Sequence, residues 1–124
     1  MDFKMVGQGE KAVAVVTGQE VRVSSPQDML DLIATLGYGS GCSRIVLEKE
    51  ALAEDFFDLK TGLAGEMLQK VINYRAAIAI VGDFSGYTSK ALRDFMYESN
   101  QGNRIFFLPD EEAAVAKLQA TSIS

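Results

Sequence analysis

Two short polar segments carry the side chains of this chain that are best suited to chemistry. Each follows an apolar run and combines a carboxylate with a hydroxyl group. The first polar segment contains Asp58, Lys60, Thr61 and Gly62, and the second polar segment contains Asp83 and Ser85. A hydroxyl group at the beginning of a helix can bind an anion or accept a phosphoryl group, because the free N–H groups and the helix dipole favour negative charge. These residues are therefore the candidate site for binding or switching.

The same residues also have a structural interpretation, which the sequence leaves open. Asp58 or Thr61 can cap a helix, and an acid such as Asp83 often accepts a hydrogen bond from its own loop. Glu48, Asp58 and Asp83 together would supply oxygen ligands for Mg²⁺, although nothing in their spacing requires a metal. We therefore predict neither a metal nor another cofactor at this site.

The composition argues against several classes of function. The 124 residues include no histidine, which removes Ser-His-Asp and Cys-His catalysis and the commonest general base at neutral pH. The single cysteine, Cys42, excludes an internal disulfide and a cysteine-cluster metal site. A net charge of −5, with the lysines and arginines scattered, argues against a nucleic-acid partner. No apolar run approaches the roughly 20 residues of a membrane span, and no signal pattern opens the chain, so we expect a soluble cytoplasmic protein.

The elements that would position the two polar segments begin with a β-hairpin. Residues 3–6 and 12–17 predict two strands, and Gly7 and Gly9 predict the turn between them, because glycine accepts a positive φ at low cost. Residues 18–23 fit either an extension of the second strand or a loop. The hairpin also offers a strand edge at which a homodimer could form.

Three strand–helix repeats follow the first helix. Ser25 and Pro26 predict the start of that helix, and the glycine-rich segment 37–41 is expected to stop it. Further strands are predicted at 44–48, 76–81 and 104–108, and further helices are predicted to begin between Asp58 and Thr61, at Thr88 or Ser89, and at Asp110. Residues 76–81 are apolar at every position, which is typical of a strand covered on both faces. Residues 120–124 are expected to fray.

The complete order is β-β-α-β-α-β-α-β-α, which predicts an α/β fold with a mixed, mostly parallel sheet in a single domain of residues 1–124. In such a sheet, the loops that leave the carboxyl ends of parallel strands gather at one edge, where ligands bind. We therefore expect the two polar segments to lie at the same edge of the sheet.

The stretch from Ile45 to Gly65 resembles the STAS domain, the family of the anti-sigma-factor antagonists. In that family a strand leads through an Asp-Ser-Ser-Gly-Leu-like turn into an amphipathic helix, and Asp58-Leu59-Lys60-Thr61-Gly62-Leu63 resembles this turn with one extra residue. The segments FFDLKTGLAGE, AIVGDFS, YTSKALRDF and YESNQGNRIFF are similar to an uncharacterised bacterial family of small STAS-like domains over residues 27–118. The resemblance implies a STAS-like fold and brings no established activity.

In the regulatory STAS proteins, a partner kinase phosphorylates a serine in this turn and thereby controls binding. The position nearest to that serine is Thr61, although no serine stands in the turn and Lys60 would lie beside an added phosphate. The resemblance therefore implies a non-enzymatic regulatory module that binds a protein partner, with Thr61 as the candidate switch. Two alternatives stay open: a sensor of a nucleotide, lipid or other small ligand at the same edge, and a histidine-free enzyme that uses carboxylates or a metal.

Overall fold

The computed structural model describes residues 2–18 and 21–123. Its strands are β1 (Asp2–Val6), β2 (Val13–Thr17), β3 (Arg44–Glu48), β4 (Ala77–Val81) and β5 (Ile105–Leu108), and its α-helices are α1 (Pro26–Ser40), α2 (Leu63–Asn73), α3 (Lys90–Asn100) and α4 (Glu111–Ala120). The sheet has the strand order β1-β2-β3-β4-β5; β1 is antiparallel to β2, and the remaining pairs are parallel. The predicted order of elements, the mixed sheet and the N-terminal hairpin are therefore confirmed.

The hairpin turn follows from its glycines. Gly7 has a φ of 84° and Gly9 has a φ of 73°, so both positions use the left-handed backbone that the sequence predicts for them. The second strand, β2, ends at Thr17. Two residues of the ambiguous segment 18–23, Gln19 and Glu20, lie outside the described part of the chain.

The first helix begins as predicted but ends later. Ser25 caps it by accepting a hydrogen bond from the backbone N–H of Asp28 at 3.1 Å. Segment 37–41 does stop the helix, but only at its last glycine: α1 continues through Gly37 to Ser40, and Gly41, whose φ is 68°, caps it. A helical glycine costs only about 1 kcal/mol, and the fully buried Leu36 anchors the last turns to the core.

Strand β4 lies between two hydrophobic cores. Ile78 and Ile80 face the core formed with α1, α2 and α3, whereas Ala77 and Ala79 face the smaller core formed with α4. The first three helices therefore cover one face of the sheet, and α4 covers the other. The prediction that residues 76–81 form a strand covered on both faces is confirmed. None of the helices in the described ranges combines the length and the apolar character needed to cross a membrane.

A buried arginine ties the end of α4 to the amino end of β3. The side chain of Arg44 is 5% exposed. Its Nε donates to the carbonyl oxygen of Glu10 at 3.0 Å, and its Nη1 donates to the carbonyl oxygens of Leu118 and Thr121, the latter at 2.6 Å. Carbonyl groups in the last turn of a helix carry partial negative charge, so the guanidinium group interacts favourably with them.

This contact explains why the C-terminal residues do not fray as expected. Thr121 is buried, and the side-chain amide of Asn103 donates to the carbonyl oxygen of Ser122 at 3.2 Å. Ile123 packs against the smaller core. The fraying prediction is therefore wrong for residues 121–123, and Ser124 lies outside the described residues.

Replacing Arg44 should reveal how much this buried contact stabilises the fold. We expect Arg44→Met to lower the free energy of unfolding by about 2–4 kcal/mol, because buried carbonyl groups lose their charged donor. Urea denaturation measures this loss. Lys11→Met removes an exposed cation near the same turn and should change the free energy by less than about 0.5 kcal/mol. Equal stability of the two variants would contradict the assigned role of Arg44.

Candidate functional site

The first polar segment lies in the long connection between β3 and α2. Three short 3₁₀ turns build this connection, at Lys49–Ala51, Glu54–Phe57 and Leu59–Thr61. The carboxylate of Asp58 accepts a hydrogen bond from the backbone N–H of Lys60 at 3.3 Å. The prediction that α2 begins between Asp58 and Thr61 is wrong, because Gly62 has a φ of 78° and separates the last 3₁₀ turn from the helix.

The hydroxyl group of Thr61 belongs to the hydrogen-bond network of this turn. Its Oγ1 lies 2.9 Å from the carbonyl oxygen of Asp55 and 2.9 Å from that of Asp58, and it accepts a bond from the N–H of Leu63 at 3.2 Å. The helix-cap interpretation therefore describes this residue. The segment is nevertheless exposed at all four candidate residues, so the surface remains available for contact.

The second polar segment is also ordered by its own hydrogen bonds. Oδ1 of Asp83 accepts a bond from the backbone N–H of Ser85 at 2.9 Å, and the carbonyl oxygen of Asp83 accepts one from Nζ of Lys49 at 2.8 Å. The hydrogen bonds from the side chain and the backbone of Ser85 lower the pKa of Asp83, and the charge of Lys49 adds to this effect. Asp83 is therefore a charged surface carboxylate that fixes its own loop.

Aromatic contacts join the two connections that carry the polar segments. The ring of Phe57, directly before Asp58, stacks on the ring of Tyr87 with 4.8 Å between centroids. The centroid of Phe57 also lies 6.2 Å from that of Phe84, next to Asp83. We call these three rings the aromatic clamp. The polar segments flank the clamp, in the connections that follow β3 and β4. Within residues 2–18 and 21–123, no hydrogen bond joins the first polar segment to the second.

A polar layer that the sequence analysis missed surrounds the clamp. Oη of Tyr87 donates to Oε1 of Glu54 at 3.2 Å, and Nζ of Lys49 lies 5.1 Å from the centroid of the Tyr87 ring. The side chain of Lys49 covers Gly82, where a Cβ atom would lie 2.9 Å from Cδ of the lysine. In the sequence, this layer was indicated only by Gly82, which follows a buried strand, and by the aromatic residues Phe84 and Tyr87 three positions apart.

The alternative of a magnesium site is not formed in the described residues. Within residues 2–18 and 21–123, no three carboxylate or thiolate side chains come together as a metal would require. Glu48, Asp58 and Asp83 therefore do not assemble a shared set of oxygen ligands.

Titration of Tyr87 offers a test of the polar layer. Burial, followed by the charge and hydrogen bond of Glu54 and the charge of Glu50, raises the pKa of Tyr87 from 10.0 to about 12. Between pH 10.0 and about 12, the phenol of Tyr87 therefore keeps its proton in the folded protein but loses it in the unfolded chain. This contribution to stability is complete below pH 10.0 and is lost as the pH rises through about 12.

We expect Tyr87→Phe to remove one phenol that ionises at about pH 12, as measured by near-ultraviolet absorbance of the folded protein. Tyr38→Phe is the matched control, because Tyr38 is 95% exposed. The assignment is wrong if the most alkaline step of the titration survives in Tyr87→Phe.

The comparisons with known proteins agree with part of the sequence-based expectation. The domain of unknown function DUF4180 matches residues 8–118, a range that includes both polar segments and the aromatic clamp. No curated protein and no solved structure matches the chain. The relationship to STAS domains and the bacterial origin stay predictions, because the matching family carries neither description. Since the match covers most of the sequence, the chain belongs to the DUF4180 family of domains of unknown function.

Proposed function

We propose that this domain is a non-enzymatic regulatory module that binds a protein partner at the carboxyl edge of its sheet. The binding surface would comprise the first and second polar segments. The observation that carries this proposal is the arrangement around the aromatic clamp: two exposed polar segments adjoin Phe57, which is only 6% exposed, and the half-buried rings of Phe84 and Tyr87. A surface whose backbone is already fixed loses little conformational entropy on binding.

The chemistry of the two segments fits recognition better than catalysis. The hydroxyl of Thr61 faces carbonyl oxygens, which cannot act as a base at neutral pH. The carboxylate of Asp83 is held in its charged form by Ser85 and is therefore poorly suited to donate a proton. What remains is an exposed set of one cation, two anions and hydroxyl groups, which suits a polar protein interface.

Phosphorylation of Thr61 would alter this surface for a clear electrostatic reason. The modified residue could no longer donate to the carbonyl oxygens of Asp55 and Asp58, each 2.9 Å away, and would place about −1.5 to −2 charges beside them. The start of α2 and the neighbouring Lys60 would attract the same charge. The Leu59–Thr61 turn would therefore rearrange rather than simply gain a phosphate, which makes it a suitable element for a switch.

The resemblance to the STAS turn supports the same proposal. Residues 58–63 form the last part of the connection from a parallel strand to an amphipathic helix, and they resemble the turn that enters this helix in the anti-sigma-factor antagonists. The helix buries Met67 and Val71 and leaves the turn at its exposed beginning. A partner kinase and a cytoplasmic location belong to this proposal as expectations of the resemblance.

The proposal is tested on protein recovered from its native cells. We expect a fraction of the chain to carry a phosphate on Thr61, and Thr61→Ala to change the affinity for a co-purifying partner by at least about tenfold, the order expected for one charge-assisted hydrogen bond. Thr61→Ser should retain both properties. Thr35→Ala, an exposed change on α1, is the control. An unmodified Thr61 together with the same partners for all variants would refute the switch.

A second candidate function, a small-ligand sensor, is favoured by a cleft at the same edge. The cleft has a volume of about 420 Å³. Its lining consists of Phe84, Ser85, Tyr87, Thr88, Arg93 and Met96. Aromatic walls with three hydroxyl groups and one guanidinium group suit a ligand that combines a planar ring with an anionic group, such as a nucleotide.

Thermal unfolding separates this candidate from the first. A nucleotide bound in the cleft should raise the melting temperature by about 4 °C or more at a large excess over its dissociation constant. Arg93→Gln should abolish the rise, whereas Arg75→Gln, at the turn before β4, should preserve it. Acyl lipids and inorganic phosphate serve as further ligands. No shift with any of them would remove the sensor.

A further inference from the structure

We propose that β1 pairs in the antiparallel direction with β1 of a second copy of this chain, so that the two sheets join into one continuous sheet. The proposal is independent of the carboxyl edge, because it concerns the outer strand of the hairpin. Its occupant is a second copy because the strand is complementary to itself, as a twofold interface requires.

The two edge strands, β1 and β5, differ in how well their outer backbone groups are protected from pairing with another strand. On β5, the side-chain amide of Asn100 accepts a hydrogen bond from the N–H of Phe107 at 2.7 Å and donates to its carbonyl oxygen at 3.1 Å. The amide thus replaces a neighbouring strand. On β1, no hydrogen bond between described residues reaches the backbone groups that point away from β2. Proteins usually block such an edge, and one left open is a template for another strand.

The open edge also carries apolar side chains that its own helices do not cover. Phe3 and Met5 are 37% and 40% exposed. They lie opposite Val16 and Ala14, whose side chains belong to the core beneath α1, α2 and α3. Pairing two copies along β1 would bring these apolar side chains together on that face of the joined sheet.

The charges of β1 select one register. In an antiparallel pair centred on Phe3, Asp2 of each copy lies opposite Lys4 of the other, and the two Phe3 rings meet at the twofold axis. Directly opposed residues share a face, and opposite charges stabilise such a pair. Shifting the centre to Lys4 would instead oppose two like charges.

The side chain of Lys4 is held by α4 and leaves the outer edge of β1 open. Its Nζ lies 2.8 Å from Oε2 of Glu111, at the beginning of α4, while 55% of the side chain remains exposed. The lysine is therefore directed along one face of the sheet and does not block the edge. In the dimer it would contact Glu111 of its own chain and Asp2 of the second copy.

A pair of charge-reversal variants tests the dimer and its register together. Sedimentation velocity over a dilution series should show wild-type protein at twice the mass of one chain. Asp2→Lys and Lys4→Glu each place like charges opposite one another, so each should dimerise at least about tenfold more weakly. An equimolar mixture of the two variants restores both attractive pairs and should recover the dimer.

Folding of each variant is checked by circular dichroism, and Glu98→Lys, which changes the net charge as Asp2→Lys does, should dimerise like the wild type. A wild-type protein that stays monomeric throughout the dilution series overturns the proposal and leaves the edge to a strand of another protein. The register centred on Phe3 is wrong if Asp2→Lys dimerises as tightly as the wild type. It is also wrong if the mixture of Asp2→Lys and Lys4→Glu stays monomeric while the wild type dimerises.

Discussion

The stacking of Phe57 on Tyr87 is the contact on which the carboxyl edge depends. It joins the long connection after β3 to the loop after β4, with 4.8 Å between the ring centroids. The hydrogen bonds from Lys49 to Asp83 and from Tyr87 to Glu54 join the same two connections around this stack. The contact is apolar and is continued inward by Phe84 and Phe107, whose centroids are 5.6 Å apart. The exposed polar surface is thus anchored directly to the core of the fold.

Polar groups around the rings complete this arrangement. Lys49 bonds to the carbonyl oxygen of Asp83 and lies over Tyr87, so one side chain contacts both the second polar segment and the aromatic clamp. Thr61 instead closes a turn with its hydroxyl group, at the outer end of the same connection. The inner residues therefore hold the edge, whereas the outer turn depends on a single hydroxyl hydrogen. That contrast makes the outer turn the part that a modification could change.

The sequence predicts those parts of the fold that depend on local chemistry. The strand β4 could be predicted because burial on both faces requires an unbroken apolar run. The hairpin turn could be predicted because a positive φ favours glycine. The sequence places the stop of α1 within residues 37–41 but not at Gly41, because tertiary packing of Leu36 outweighs the weak helix propensity of Gly37. Contacts between distant residues carry no local signal. Arg44 bonding to Thr121 could not be inferred from spacing, nor could the stacking of Phe57 on Tyr87.

The central claim is that the two polar segments form one surface through the aromatic clamp. Backbone amide chemical shifts of a Phe57→Leu variant test it most directly, because the substitution removes a ring while keeping an apolar side chain. The amides of Lys60 and Ser85 should both shift, since ring contacts link the two connections that carry them. Shifts confined to the connection between β3 and α2, with Ser85 unchanged, would contradict the account.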